Sequence, residues 1–267
     1  MNMSREEQIQ TLTDFMTDIA QESGDIALKY FRSNMKVENK QSGGKFDPVT
    51  LADTEIEEFL RARIEAQYPG HAIVGEETGE TEGSEAFKWF IDPIDGTRGF
   101  VAGSPMWGTL VGVMEADECV AGVMNQPFLK ETYVGNKAGS YLINAEGKTQ
   151  IQCSKTENLE DAILCCTHLS MFHTGKALDR FINIADSCRF SRFGTDCYGY
   201  GMLAHGFVDL IVEAALKPFD IMALIPIVEG AGGVISNWQG GDVSQGGDVI
   251  AAATPALHQQ ALKRLST

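Results

Sequence analysis

Asp92 and Asp95 stand three residues apart in W-F-I-D-P-I-D-G-T-R-G-F (89–100), directly after an apolar run, with Pro93 between them and Gly96-Thr97 behind. A strand end needs one turn residue, so the second carboxylate and the hydroxyl call for a chemical role. Three further places set acids at a predicted strand end or helix start: Asp53 in V-T-L-A-D, Glu76 and Glu77 in V-G-E-E-T, and Asp220 in K-P-F-D. Each follows residues that a core would bury, so these carboxylates are expected to converge at one edge of it. Anions about 4 Å apart repel by roughly 4 kcal/mol at an effective dielectric near 20, which no domain tolerates many times over. A cation must then sit among them. The donors are all hard oxygens, with no thiolate or imidazole, a set that suits Mg²⁺ or Mn²⁺ and disfavours zinc.

The D-P-I-D-G-T run fits that expectation in detail. Pro93 fixes the backbone between the aspartates, so that Asp92, Asp95 and the Ile94 carbonyl can face neighbouring metal positions, while Gly96 lets the chain approach a ligand closely. Gly96, Thr97 and Arg98 then offer backbone N–H groups at the opening of a short helix, a natural seat for a phosphate. Two metals beside a phosphate seat imply hydrolysis, with a nearby hydroxyl or carboxylate orienting the water. Plainer readings stand beside these. Asp92 and Asp95 could form a turn with a helix cap, and Asp53 could complete a capping box begun by Thr50. Glu76 and Glu77 could be a solvated strand end, with Glu77 more a support than a ligand, and Asp220 could be a plain N-cap.

The elements that must position these groups are legible in outline. From Ser4 to about Phe31, Ile9, Leu12, Phe15, Met16, Ile19 and Ile26 recur near helical spacing. The loop Q-S-G-G-K-F-D-P (41–48) ends that unit, and a second helix begins at Thr50, carries Ile56, Leu60 and Ile64 on one side and stops at Pro69-Gly70. From His71 short β-branched and aromatic segments follow closely, which predicts an antiparallel meander. After about Cys153 strands and helices alternate, and P-F-D-I-M-A-L-I-P-I-V-E-G-A-G-G reads as one helix bent at Pro226, followed by two short strands and a last helix. The chain thus divides into residues 1–152, a helix pair plus antiparallel sheet with most of the acids, and 153–267, an alternating α/β half, packed as one compact unit.

Composition narrows the class. With 43% hydrophobic residues and no apolar run near the roughly 18 residues of a membrane span, the chain reads as soluble, and its polar N-terminus lacks a signal-peptide core, so a cytoplasmic location is expected. A formal charge of −16, from 37 acids against 21 bases, argues against nucleic acid as a partner. The six cysteines show no C-x-x-C pairing and read as reduced thiols. G-Y-G-M-L-A (199–204) matches a dinucleotide pattern but falls inside a predicted helix, and His168 and His173 read as surface or packing residues.

Glu76-Glu77, the D-P-I-D-G-T run and the later F-D-I-M-A resemble, in order and over nearly the whole chain, the inositol monophosphatase superfamily of Mg²⁺-dependent, lithium-sensitive phosphatases. The resemblance implies a mixed α+β protein, a layered α/β/α/β/α sandwich, commonly a homodimer. It implies that Glu76, Asp92 and the Ile94 carbonyl hold one Mg²⁺ and that Asp92, Asp95 and Asp220 hold another, with two or three ions in all. It further implies that Asp53 and Thr97 orient the attacking water, that Glu76 belongs to the catalytic set, and that the Gly96 and Thr97 amides hold the phosphate. One departure is visible: the usual Trp before the last aspartate is Phe219, and Met222 replaces a small residue. The stretch from Gly194 to Gly233 is most similar to the histidinol-phosphate phosphatase branch, which implies Asp95, Gly194, Thr195, Asp196 and Glu213 on the substrate side. Histidinol phosphate carries an ammonium and an imidazole, so carboxylates facing them gain charge-assisted hydrogen bonds. Thr195-Asp196 would also serve as a plain helix cap. The alternatives are a phosphatase for inositol 1-phosphate or for a range of polyol and sugar phosphates, and a non-catalytic binding or regulatory member.

Overall fold

The computed structural model describes residues 3–33, 37–39, 48–173 and 175–266. The loop read at 41–48 lies, up to residue 47, outside them. The first helix, α1 (Arg5–Tyr30), starts at a capping box in which Ser4 and Glu7 satisfy each other's backbone, and it buries Ile9, Leu12, Met16 and Ile19 at intervals of three and four. A short ladder of β1 (Val37–Asn39) and β2 (Pro48–Thr50) leads to α2 (Leu51–Gln67).

An eight-stranded sheet follows, built from β3 (Ala72–Gly75), β4 (Gly79–Thr81), β5 (Phe87–Asp95), β6 (Gly108–Glu115), β7 (Glu118–Gln126), β8 (Glu131–Asn136), β9 (Gly139–Asn144) and β10 (Gly147–Ile151). The helix α3 (Thr97–Val101) lies between β5 and β6. The strand order is β10-β9-β8-β7-β6-β5-β3-β4, and the expected meander holds from β5 to β10. It fails at the other end: β3 pairs with β5 in parallel, because the hairpin to β4 turns the chain outward to the sheet edge before it returns.

The second half supplies β11 (Ile163–Cys166), α4 (Ala177–Ala185), β12 (Phe190–Phe193), α5 (Asp196–Ala204) and β13 (Leu210–Leu216). It closes with α6 (Pro218–Ile221), α7 (Leu224–Gly230), β14 (Val234–Asn237), β15 (Gly247–Ala252) and α8 (Pro255–Leu265). Its sheet runs β12-β11-β13-β15-β14, with β12, β11 and β13 parallel and the rest antiparallel. The predicted single helix bent at Pro226 is two helices. The break falls at Met222-Ala223, since the ring of Pro226 conflicts with the carbonyl four residues earlier, that of Met222, while Pro226 itself sits comfortably in the first turn of α7.

Three apolar clusters stack these parts. One lies between α1, α2 and the large sheet, through Leu12, Met16, Ile56, Trp89 and Val111. The second joins the other face of that sheet to α5, α6, α7 and the smaller sheet, through Leu110, Met124, Tyr200, Met222 and Val249. The third lies between the smaller sheet and α4 and α8, through Leu164, Phe181, Val212 and Leu257. The result is five layers, α/β/α/β/α. No helix among the described residues is long and apolar enough to cross a membrane.

Candidate active site

The carboxylates meet where β5 ends. Along β5 the pairing with β6 steps from Asp92 opposite Leu110 to Asp95 opposite Gly108, one extra residue on the β5 side. Pro93 has no N–H for the ladder, so the chain bulges there, and Thr109 donates its hydroxyl to the Pro93 carbonyl at 2.8 Å. The bulge turns both aspartates to one side. Asp220, in the first turn of α6, completes a trio whose carboxylate oxygens all lie within 4.8 Å of one another. The Lys217 backbone N–H donates to Asp220 Oδ2 at 2.7 Å, so Asp220 caps its own helix while facing the trio.

Electrostatics matches the crowding. Burial, then repulsion from Glu76, Asp95 and Asp220, holds the Asp92 carboxyl well above its usual range. Burial and the neighbouring Asp196 push Asp95 up to about 8, against the pull of the Cys197 backbone N–H, which donates to Asp95 Oδ2 at 2.7 Å. Asp220 is likewise raised well above its usual range, by burial first and then by Asp95. Three hard anionic donors at this spacing fit a divalent cation of the Mg²⁺ or Mn²⁺ kind, whose charge would remove the repulsion. Glu76 stands outside the tight trio, at the end of β3, yet close enough to raise both Asp92 and Asp220.

Asp53 is fully buried at the third position of α2, where its Oδ2 accepts from the Thr50 N–H at 2.8 Å and the Thr50 hydroxyl at 2.7 Å. The capping-box arrangement is therefore real, and it fixes the side chain. The helix α3, which opens at Thr97, touches β2, whose last residue is that same Thr50. Thr97 donates its hydroxyl to the Ile94 carbonyl at 3.0 Å. Gly96 precedes α3 with φ of +85°, and a Cβ there would lie 2.8 Å from the Met106 carbonyl and 3.1 Å from Asp196 Cβ, so no other residue fits this turn.

A cleft of about 310 Å³ opens beside the trio, bordered by Asp95 to Arg98 on one side and by Thr167, Asp196, Tyr200, Glu213 and Asp220 on the others. The ends of the parallel strands β11, β12 and β13 deliver this far wall, the usual location for ligands in such sheets. Asp196 opens α5 with φ of +44°, and burial together with Glu213 pushes it up to about 7, with Arg98 pulling it down. Glu213 Oε1 accepts from the Thr167 N–H at 2.9 Å and its hydroxyl at 2.6 Å, and Oε2 accepts from the Tyr200 hydroxyl at 3.0 Å. Burial raises Glu213, and those donors pull it back.

Two expected substrate residues are placed elsewhere. Gly194 is exposed, with its N–H bonded to the Cys166 and Thr167 carbonyls, and Thr195 is buried beneath α5 without capping it through its side chain; neither borders the cleft. Sequence reasoning in turn passed over Thr167, Tyr200 and Glu57. For the first two no local signal exists, since they meet Glu213 only through the fold. For Glu57 a signal does exist, its spacing of four from Asp53 on one helix face.

The chain is similar to known phosphatases over most of its length. The chloroplastic bifunctional phosphatase IMPL2 of Arabidopsis thaliana is 37% identical over 92% of this chain and 72% of its own. A histidinol-phosphatase of Streptomyces coelicolor is 32% identical over 87% of this chain and 88% of its own. Among solved structures, an inositol monophosphatase from Zymomonas mobilis superposes with a TM-score of 0.85 at 33% identity, covering 100% of both chains. The sequence model of the inositol monophosphatase family matches residues 8–267. With the family model matching residues 8–267 and phosphatases aligned along most of its length, the chain belongs to the inositol monophosphatase family.

Proposed function

We propose that this phosphatase is a Mg²⁺-dependent histidinol-phosphate phosphatase, converting L-histidinol phosphate and water to L-histidinol and phosphate in histidine biosynthesis. The carrying observation is the far wall of the cleft, where Asp196 and Glu213 stand close enough for Glu213 to raise Asp196. A substrate with an ammonium and an imidazole supplies the positive charge these carboxylates favour; a neutral polyol does not. Likeness to histidinol-phosphatases supports the same reading.

In this reading Glu76, Asp92 and the Ile94 carbonyl would hold one Mg²⁺, and Asp92, Asp95 and Asp220 would hold a second. Bound Mg²⁺ supplies Lewis acidity for water activation and for the charge that develops on the leaving oxygen. Asp53 and Thr97 orient the water, and the Gly96 and Thr97 N–H groups hold the phosphate. The first half of the chain carries most metal ligands; the second supplies Asp220, Asp196 and Glu213. We take the protein to be a cytoplasmic homodimer acting on small phosphomonoesters. A polyol phosphate is the second reading, favoured by the likeness to the Zymomonas mobilis inositol monophosphatase.

The test is phosphate release from L-histidinol phosphate and myo-inositol 1-phosphate side by side, with Mg²⁺ and with a chelator, for the wild type and Asp196→Ala. Chelator-sensitive preference for histidinol phosphate is expected, with Asp196→Ala lowering that activity at least tenfold more than the activity on inositol phosphate, the scale of a lost charge-assisted hydrogen bond. Equal losses would overturn the substrate assignment and leave the phosphatase.

A further inference from the structure

Glu57 is fully buried on α2, one turn beyond Asp53, so the two carboxylates leave the same helix face. It touches none of the cleft, yet it gathers the donors of a single turn. Glu57 Oε2 accepts from the Glu77 N–H at 2.8 Å, and Oε1 accepts from the Thr78 N–H at 3.0 Å and from the Thr78 hydroxyl. Arg61, one turn further along α2, places Nε 2.9 Å from Glu57 Oε1 and reaches with its other nitrogens to the Gly79 carbonyl and the Thr81 hydroxyl. The segment from Glu77 to Thr81 is thereby fastened to the helix that carries Asp53. On its other side, the Glu76 N–H donates to the Ile91 carbonyl of β5 at 3.3 Å.

The approach is close enough to dictate another residue. A Cβ on Gly75 would lie 2.3 Å from Glu57 Oε1 and 2.7 Å from Arg61 Nη2, so the strand can reach the clamp only because position 75 has no side chain. Burying a carboxylate is costly unless charged and polar donors surround it, and here four donors do so. All four of those donors hold the turn after Glu76 against α2.

We infer that Glu57 is a positioning residue for the metal centre: it clamps the turn after Glu76 to α2, and so fixes the Glu76 carboxylate relative to Asp92 and Asp53. This rests on the proposed role of Glu76 as a metal ligand. Groups that orient ligands in this way typically govern metal affinity by about 10- to 100-fold.

The experiment titrates Mn²⁺ into metal-free full-length protein, by the electron spin resonance of the free ion, for wild type, Glu57→Gln, Glu76→Gln and the double variant. Glu57→Gln is expected to weaken Mn²⁺ binding about tenfold, and to weaken it no further once Glu76 is Gln, because it acts through Glu76. An unchanged affinity in Glu57→Gln while Glu76→Gln binds weakly overturns the positioning role, as does an equal loss in both backgrounds, which marks general destabilisation. An unchanged affinity in Glu76→Gln overturns the ligand reading underneath. Should Glu57→Gln fail to fold, Thr78→Val removes one donor to the same carboxylate; a loss of roughly two- to fivefold that vanishes in the Glu76→Gln background supports the clamp, and no loss overturns it.

Discussion

Asp92, Asp95 and Asp220 are aspartates whose protonated form the fold favours, and that has a consequence with a definite sign. Asp95 ordinarily titrates near 3.8 and here near 8, so between those values the metal-free folded chain holds a proton that the unfolded chain has released. Stability falls with pH wherever the folded state binds more protons. In a chelator, the unfolding midpoint should therefore decline from pH 5 to pH 8.5, and under the proposed metal reading saturating Mg²⁺ would take the place of the protons and remove most of that decline. The measurement is thermal unfolding across this range with and without Mg²⁺. Parallel curves would mean that the trio is not held up by its own crowding. The trio itself was readable in D-P-I-D-G-T and F-D-I-M-A because each run ties a carboxylate to a local backbone device: a proline bulge in β5 and a helix start in α6. The bonds of Glu213 to Thr167 and Tyr200 were not readable, since they bridge β13 to β11 and α5 and leave no periodic trace.

At the scale of elements, Asp220 reaches the trio because α6 and α7 lie unusually close to the large sheet. Gly112, Gly122 and Gly135 are direct cross-strand neighbours on β6, β7 and β8, and together they form a trough. A Cβ on Gly122 would stand 1.9 Å from the Ala223 carbonyl oxygen, and one on Gly135 would stand 2.4 Å from Ile227 Cα. Backbone rather than a flexible side chain fills the trough, so it cannot yield cheaply. Gly122→Ala should lower unfolding stability by about 3 kcal/mol, the upper end of overpacking costs, and should weaken Mg²⁺ activation as α6 moves away. Urea unfolding and a Mg²⁺ titration of activity would show both; a change below about 0.5 kcal/mol would mean that the helices are not seated by these glycines. The helices α1 and α2 were legible from capping residues and apolar spacing, which are local. The parallel pairing of β3 with β5 was not, because the excursion to β4 is written only in short polar residues, G-E-T, that look like loop.

For the whole molecule, the formal charge of −16 sets a field that an incoming phosphate must cross. Part of that charge lines the cleft, where Asp196 and Glu213 face Arg98. A polyol monophosphate arrives with a charge of about −2, whereas the ammonium of histidinol phosphate offsets part of it. Screening acts over about 30 Å at 10 mM ionic strength and about 8 Å at 150 mM, so added salt should relieve the repulsion of the first substrate more than that of the second. At fixed saturating Mg²⁺, kcat/KM for myo-inositol 1-phosphate should rise roughly two- to fivefold across that range, with less than about a twofold change for histidinol phosphate. Initial rates in KCl of increasing concentration provide the check. A kcat/KM that falls with salt for both substrates would mean that the metal-loaded cleft presents a net positive face strong enough to override the charge of the molecule.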